Sequence, residues 1–346
     1  MSKDYKISVL SGDGIGPEVT AEAMKVLKAT GLDFEFLINS VGGNAYLKTG
    51  ESFSKEAKES CERADAVLFG AVGHDYAPYD IPRKVLYYLR LEKDTYVNLR
   101  PLKLYPKIES PLKLPKGKGV DIVIIRENTE GESVKQSGIV GDRVSSDTRI
   151  ITRFGSQRLI RFAFEYARSH KRNKVTCIDM SNLLSGDKLF RDVFDEISEW
   201  YPEVEKDYRA VDVAAMHLIS KLDSFDMIVT SNLYGDILSG LLCALVGGVG
   251  MAPSACIGDR FAYFEPVHGT AWDIAGQGIA NPIAEILSAK LMLEWLRENE
   301  AAEKIEQAVT MVLEEGKVRT ADIGGTSKTS QVGDAIAKKV EELSKK

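Results

Sequence analysis

The chain carries only four cysteines in 346 residues (Cys61, Cys177, Cys243 and Cys256), far apart and with no Cys-x-x-Cys pair. That scarcity argues against a disulfide framework and for reduced thiols in a cytoplasmic setting. There is no long block of Lys or Arg, and the net charge is −6, which excludes a nucleic-acid scaffold on electrostatic grounds. No apolar run is long enough to span a bilayer; the longest, 241–253, is broken by glycine. The opening MSKDYKISVL shows no signal-peptide pattern, and the chain contains no internal repeat or low-complexity segment. What is present is the composition of a folded α/β protein, 44% hydrophobic and 28% charged with both signs interspersed. The length suggests two domains, or one large domain with a lobe, and a core that needs no covalent staples.

Short apolar runs alternate with longer amphipathic ones. Strands are expected at 6–10, 66–71, 121–125, 174–178 and 226–230, nearly continuous in Val, Ile and Leu, as in strands buried on both faces. Helices are expected at 17–30, 54–63, 156–170, 188–200, 236–245, 282–297, 302–315 and 331–344. Alternation of this kind implies a largely parallel sheet with helices on its faces. The polar stretch 132–148 breaks the pattern and reads as a projecting hairpin, which needs a partner surface to be stable.

Several motifs carry chemistry. Ser11-Gly12-Asp13-Gly14-Ile15-Gly16-Pro17 joins a strand to a helix, but its G-x-G-x-G spacing is not the dinucleotide fingerprint. A plain turn and a ligand loop both remain open there. Arg90 ends an apolar helical run, Arg100 precedes Pro101, and Arg126 ends the strand Ile122-Val123-Ile124-Ile125. A guanidinium beside a buried strand needs an anion, and its planar fork suits a carboxylate. The alternative is a structural ion pair, for instance with Glu127 or Glu130. Asp212 and Asp236 stand near helix starts, where a carboxylate either caps the helix or holds a divalent cation. The segment from Phe264 to Pro282, FEPVHGTAWDIAGQGIANP, is rich in turn residues and polar groups, and in that setting His268 is expected to meet a ligand.

Taken together, these motifs resemble the β-decarboxylating dehydrogenase family of isocitrate, 3-isopropylmalate, homoisocitrate and tartrate/D-malate dehydrogenases. The resemblance runs from Gly12 to the Asp322-Ile323-Gly324-Gly325 turn and rests on five ordered motifs. These are the glycine loop, the Leu-Arg and Asn-Leu-Arg-Pro pair, Arg-Glu-Asn-Thr-Glu-Gly, Tyr-Gly-Asp-Ile-Leu-Ser and Glu-Pro-Val-His-Gly. It implies an isopropylmalate dehydrogenase-like α/β fold with a mixed, mainly parallel sheet, distinct from the Rossmann fold. Residues 1–98 and 250–346 would form a large cofactor domain. Residues 99–249 would form a small domain with the dimer interface and an arm near 132–148.

By position, Arg90, Arg100 and Arg126 would hold the carboxylates of a malate-type substrate, with Leu86 meeting its variable group. Asp236 would ligand Mg²⁺ or Mn²⁺, and Asp212 would arrive from the neighbouring subunit as metal ligand and catalytic carboxylate. Glu265, His268, Gly269, Ala271, Asp273, Ala280 and Asn281 would bind NAD. A carboxylate at Asp273 repels a 2′-phosphate and so favours NAD over NADP. A homodimer is implied, with a hetero-oligomer as the other possibility, and no nucleic acid or membrane.

Three positions depart from the family pattern. Ser133 stands where the family's acid is a tyrosine, Met180 where its base is a lysine, and Gly240 where a further aspartate follows Asp236. Serine is a far poorer proton donor than a phenol, and methionine carries no proton. One reading is an active enzyme with proton transfer rerouted through Asp179, Asp212 or water. The other is a binding-competent regulatory or non-catalytic subunit. The resemblance ranks 3-isopropylmalate first because of Leu86. Arg83 and Lys84 leave isocitrate or homoisocitrate as the alternative, and the run 96–101 leaves tartrate or D-malate. A nucleotide-binding structural module is the reading outside this class.

Overall fold

The structure is a computed structural model that describes residues 4–78, 80–114, 119–134 and 137–345. Its strands are β1 (Tyr5–Gly12), β2 (Phe34–Asn39), β3 (Ala66–Ala71), β4 (Val97–Lys103), β5 (Asp121–Glu127), β6 (Ser137–Val140), β7 (Val144–Asp147), β8 (Lys174–Asp179), β9 (Glu205–Ala210), β10 (Met227–Thr230), β11 (Pro253–Ile257) and β12 (Ala262–Pro266). The α-helices are α1 (Gly16–Ala29), α2 (Gly43–Thr49), α3 (Lys55–Arg63), α4 (Asp80–Tyr87), α5 (Arg153–Ser169), α6 (Ser185–Ser198), α7 (Val211–Ser220), α8 (Asn232–Leu245), α9 (Ile283–Trp295), α10 (Asn299–Glu315) and α11 (Thr329–Ser344).

One ten-stranded sheet crosses the whole protein in the order β2-β1-β3-β12-β11-β4-β5-β10-β8-β9. Its outer pairings are parallel, and the antiparallel ones fall at the centre, where β12, β11, β4 and β5 meet. The mainly parallel sheet with an antiparallel middle is the expected mixed arrangement. Period-2 alternation sorts the core. On β5, Val123 and Ile125 join a cluster with Leu159 and Phe164 of α5, whereas Ile122 and Ile124 join Leu238 and Leu242 of α8. Arg126 continues the second set, so it emerges on the α8 face. On β4, Arg100 reaches Ser239 of α8 and Asn98 on that same face, while Leu99 between them turns the other way into the α5 cluster.

Helix boundaries follow local chemistry. Pro17 opens α1, Ser54 Oγ accepts from Ala57 N at the start of α3, and Thr152 Oγ1 accepts from Gly155 N at the start of α5. Other boundaries differ from the expected ones. α8 begins at Asn232, one turn before the expected 236, so Asp236 is an interior helical residue and not a cap. Strands β2, β4, β9, β11 and β12 escaped the sequence reading. β4 is interrupted by Arg100 and Pro101, β9 (EKDYRA) is a charged sheet edge, and β11 begins with a proline.

Hairpin β6–β7 forms the expected projection as a separate two-stranded sheet, with Ile139 and Val144 exposed. Lys135 and Gln136 of this arm lie outside the described residues. Among the described residues no helix is long and apolar enough to cross a membrane.

Candidate active site

The three arginines converge. Arg90, Arg100 and Arg126 line one cavity of about 210 Å³ together with Leu86, Asp236, Glu265, His268 and Gly269. Each arrives by a different route. Arg100 and Arg126 stand on the paired strands β4 and β5, in a register that sets Asn98 opposite Arg126. Arg90 lies within a π-helical turn, Tyr88–Glu92, that follows α4. Such turns occur disproportionately at functional sites. Arg126 lies along the start of α8, where a Cβ at Gly235 would come within 2.6 Å of its Cγ. The Tyr-Gly-Asp motif therefore needs glycine at that position.

Asp236 is the shared counter-ion. Its Oδ1 accepts from Arg126 Nη1 and, at 3.0 Å, from Arg100 Nη1. Arg126 also donates from Nε to the carbonyl of Asn232 and from Nη2 to Asn232 Oδ1. The alternative partners do not take part: Glu127 accepts from Thr129 and the Glu130 amide, and Glu130 accepts from Thr152. Burial alone would push the Asp236 carboxyl up, but Arg126 and Arg100 hold it below the usual carboxylate range. Burial, and then the neighbouring charge of Arg100, push Arg126 down to about 9. At Arg126, burial and the facing guanidinium of Arg100 together outweigh the single carboxylate of Asp236.

The positions expected to carry NAD divide into two groups. Glu265, His268 and Gly269 line the arginine cavity. His268 is buried, with Nδ1 against the carbonyl of Gly269 and Nε2 without a partner among the described residues. Burial lowers its pKa and keeps the ring neutral. A buried polar nitrogen without a partner at a cavity wall is costly unless a ligand meets it. Ala271, Asp273, Ala280 and Asn281 lie further along the same segment. Ala271 adopts a positive φ of 42°, Asp273 is exposed, and Ala280 packs on Ile15 and Val19. Asn281 Oδ1 accepts from Ile283 N at the start of α9.

The glycine turn is accounted for by packing. Ile15 N donates to the carbonyl of Thr270, and a Cβ at Gly12 or Gly14 would lie 1.9 Å from the carbonyl oxygen of Ala71 or Thr270. The turn supports the 264–282 segment from beneath.

Asp212 does not line this cavity; it sits exposed at the start of α7, its carboxylate accepting from the Val213 amide. Among the described residues no group of three or more His, Cys, Asp or Glu is placed to hold a metal. Ser133 Oγ accepts from Asn232 Nδ2 at 3.2 Å, linking it to Arg126 through the same amide. Met180 brings no proton-carrying group; its amide donates to Asp187, which also binds Arg149 and Tyr234. Tyr166, the next tyrosine after Ser133, lines a separate cavity with Leu99, Ala255 and Leu291 on the opposite face of the sheet. It cannot stand in for a lost phenol at the arginines. Gly240 lies one turn beyond Asp236, and a Cβ added there would meet no atom within 4 Å, so the space for a second carboxylate is open.

Tyr263 is the residue that sequence reading missed. It is fully buried, and its hydroxyl accepts from Arg90 Nε at 3.1 Å. The alternation of Tyr263 and Glu265 with Ala262 and Phe264 was the available signal.

The chain matches the isocitrate/isopropylmalate dehydrogenase family over residues 6–336. It is 43% identical to the 3-isopropylmalate/3-methylmalate dehydrogenase of Methanocaldococcus jannaschii, covering 98% of this chain and 99% of that one. It is 44% identical to the homoisocitrate dehydrogenase of the same organism, covering 96% of each. The crystal structure of isocitrate dehydrogenase from Methylococcus capsulatus superposes with a TM-score of 0.91 at 37% identity, covering 97% of this chain and 99% of that one. A mixed sheet carrying an arginine-lined cavity at its antiparallel centre is thus the framework of a decarboxylating dehydrogenase. The chain belongs to the isocitrate/isopropylmalate dehydrogenase family.

Proposed function

We propose that the chain serves the NAD-dependent oxidative decarboxylation of a 2-hydroxy dicarboxylic acid, with 3-isopropylmalate as the substrate, in leucine biosynthesis. The convergence of Arg90, Arg100 and Arg126 on one cavity carries this reading. Leu86 lines that cavity and offers an apolar wall to a branched alkyl group. Lys84 lines a different cavity, with Tyr46, Phe53 and Tyr87, which weakens the case for a third carboxylate and hence for isocitrate or homoisocitrate.

NAD, when bound, supplies the hydride acceptor. The residues present suit it: His268 offers a neutral nitrogen with no partner among the described residues, and exposed Asp273 disfavours a 2′-phosphate. Within this reading the arginines orient the substrate carboxylates, and the neutral His268 orients the cofactor without adding charge. The metal is different. One chain brings Asp236, but among the described residues no group of three or more His, Cys, Asp or Glu is placed to hold a metal, so its own side chains do not make a full Mg²⁺ or Mn²⁺ site. We place that site in a homodimer, where Asp212 of a second copy would supply the missing carboxylate. The exposed apolar residues Val213, Met216 and Ile219 of α7 and Leu233 and Ile237 of α8 support such an interface beside Asp212. The domain division at 98/99 and 249/250 and the cytoplasmic setting belong to the same proposal; all four cysteines are free and buried.

A second reading is favoured by specific residues. Ser133, Met180 and Gly240 remove proton carriers and a carboxylate while the arginines persist, which fits a binding-competent subunit of low turnover. A panel of 3-isopropylmalate, isocitrate, homoisocitrate, tartrate and D-malate, with Mn²⁺ and either NAD or NADP, decides by the absorbance of reduced nicotinamide. Turnover of 3-isopropylmalate with NAD supports the proposal. A flat trace, with 3-isopropylmalate still raising the melting temperature, supports the second reading.

A further inference from the structure

We infer that Tyr263 is a positioning residue for the arginine cavity, acting through a buried hydrogen-bond string that ties Arg90 to Arg100 behind the ligand. The inference rests on the reading of these arginines as carboxylate binders. The string begins at Arg90 Nε, which donates to Tyr263 Oη at 3.1 Å. Tyr263 Oη donates to Glu265 Oε1 at 3.4 Å, and Arg90 Nη2 reaches the same oxygen at 3.4 Å. From the other side Arg100 Nε donates to Asn98 Oδ1 at 2.8 Å, Asn98 Nδ2 donates to Cys256 Sγ at 3.0 Å, and Cys256 Sγ donates to Glu265 Oε1 at 3.5 Å. Ser254 Oγ adds a second donor to Asn98 Oδ1 at 3.2 Å.

One carboxylate, Glu265, terminates both arms. Asn98, Ser254, Cys256 and Tyr263 are all fully buried. In such surroundings hydrogen bonds polarise one another, and a missing member leaves its neighbours unsatisfied. The strand register explains how the residues meet. Cys256 pairs with Asn98 on β4 and with Tyr263 on β12, so the string crosses three adjacent strands at a single level.

The functional consequence lies in which nitrogens are used. Arg90 and Arg100 both commit Nε to the string, and Arg126 commits its Nε to the Asn232 carbonyl. Anchoring the inner nitrogen fixes the plane of each guanidinium and so the direction of its terminal nitrogens. Arg90 depends on this most, because it rides on a π-helical turn and not on a strand. Preorganisation of this kind lowers the cost of ordering the fork when a carboxylate arrives.

The test is a double-mutant cycle read by calorimetry, with 3-isopropylmalate as the probe in the presence of NAD. Tyr263→Phe keeps the ring and removes the hydroxyl. It should weaken 3-isopropylmalate binding about tenfold and NAD binding, in which Glu265 is expected to share, by less. In an Arg90→Ala background the same substitution should have no further effect on that affinity, because its target is gone. Additive losses, or an equal loss of NAD affinity, would assign Tyr263 a general structural role and overturn the inference. A second readout does not depend on ligand binding: the Arg90 Nε–H resonance should be protected from solvent exchange in the wild-type chain and lose protection in Tyr263→Phe. If the wild-type chain binds no 3-isopropylmalate, the substrate reading fails, and this protection still decides whether Tyr263 holds Arg90. Unchanged protection in the variant overturns the inference.

Discussion

The half of the site proposed to bind substrate and the half proposed to handle protons differ in how completely they are built. Arg90, Arg100 and Arg126 come from a π turn and two paired strands, yet all reach one cavity with their inner nitrogens anchored. Ser133, Met180 and Gly240 show no comparable provision. Ser133 is absorbed into the Asn232 contact, and Gly240 leaves open space. On the proposed roles, recognition and chemistry are separable in this fold: the first depends on buried, over-determined geometry, the second on a few side chains whose loss leaves the framework standing.

The largest test of that contrast is to rebuild the weak half. A chain carrying Ser133→Tyr, Met180→Lys and Gly240→Asp should gain turnover of 3-isopropylmalate by about 10²–10⁴-fold, the range of a positioned acid and base. Gly240→Asp is the safest of the three, because a Cβ there meets nothing within 4 Å and glycine is a poor helix interior residue. Absence of any gain, with the fold intact, would mean that the two halves are not independent.

Breaking the strong half comes next. Arg126→Ala should weaken 3-isopropylmalate binding by about 100-fold, since it removes a buried charged fork and leaves Asn232 and Asp236 short of a donor. Titration calorimetry measures it, and a change under about threefold would contradict the role.

A smaller effect concerns the framework. Glu285 is fully buried in α9, and neither carboxyl oxygen has a partner among the described residues. Burial, with a lesser push from Glu265, raises its pKa well above the ordinary range. The folded state therefore keeps a proton that the unfolded chain releases, so this contribution is complete below the unfolded pKa and is lost as pH rises toward the folded one. The loss runs at about 1.4 kcal/mol per pH unit. Glu285→Met should stabilise the protein at pH 7 by about 1–3 kcal/mol and remove that slope, as urea denaturation at several pH values would register. Equal slopes in both proteins would place the proton elsewhere.

The smallest expected effect is a control. Tyr166→Phe should leave ligand binding and any turnover unchanged in the same assays, because Tyr166 faces the opposite side of the sheet.

Much of this was legible in the sequence, for identifiable reasons. The strands at 66–71, 121–125 and 226–230 announced themselves because both faces are buried and almost every residue is apolar. The arginines stood out because a cation at the end of such a strand has few explanations. The centre of the sheet was less legible. β4 and β11 carry Pro101 and Pro253, residues that local preference assigns to turns, and they are strands because the tertiary pairing overrides that preference. The π turn that carries Arg90 has no sequence signature. The Tyr263 string was hidden because its members are scattered from Asn98 to Glu265 and meet only through the antiparallel register.

The account stands or falls on whether the cavity binds a dicarboxylate. Titrating 3-isopropylmalate into the wild-type chain with NAD and Mn²⁺, beside the Arg100→Ala variant, measures this directly. The prediction is one saturable site per chain in the wild type and no measurable heat in the variant. Binding that survives Arg100→Ala undiminished, or no binding by the wild type, would contradict it.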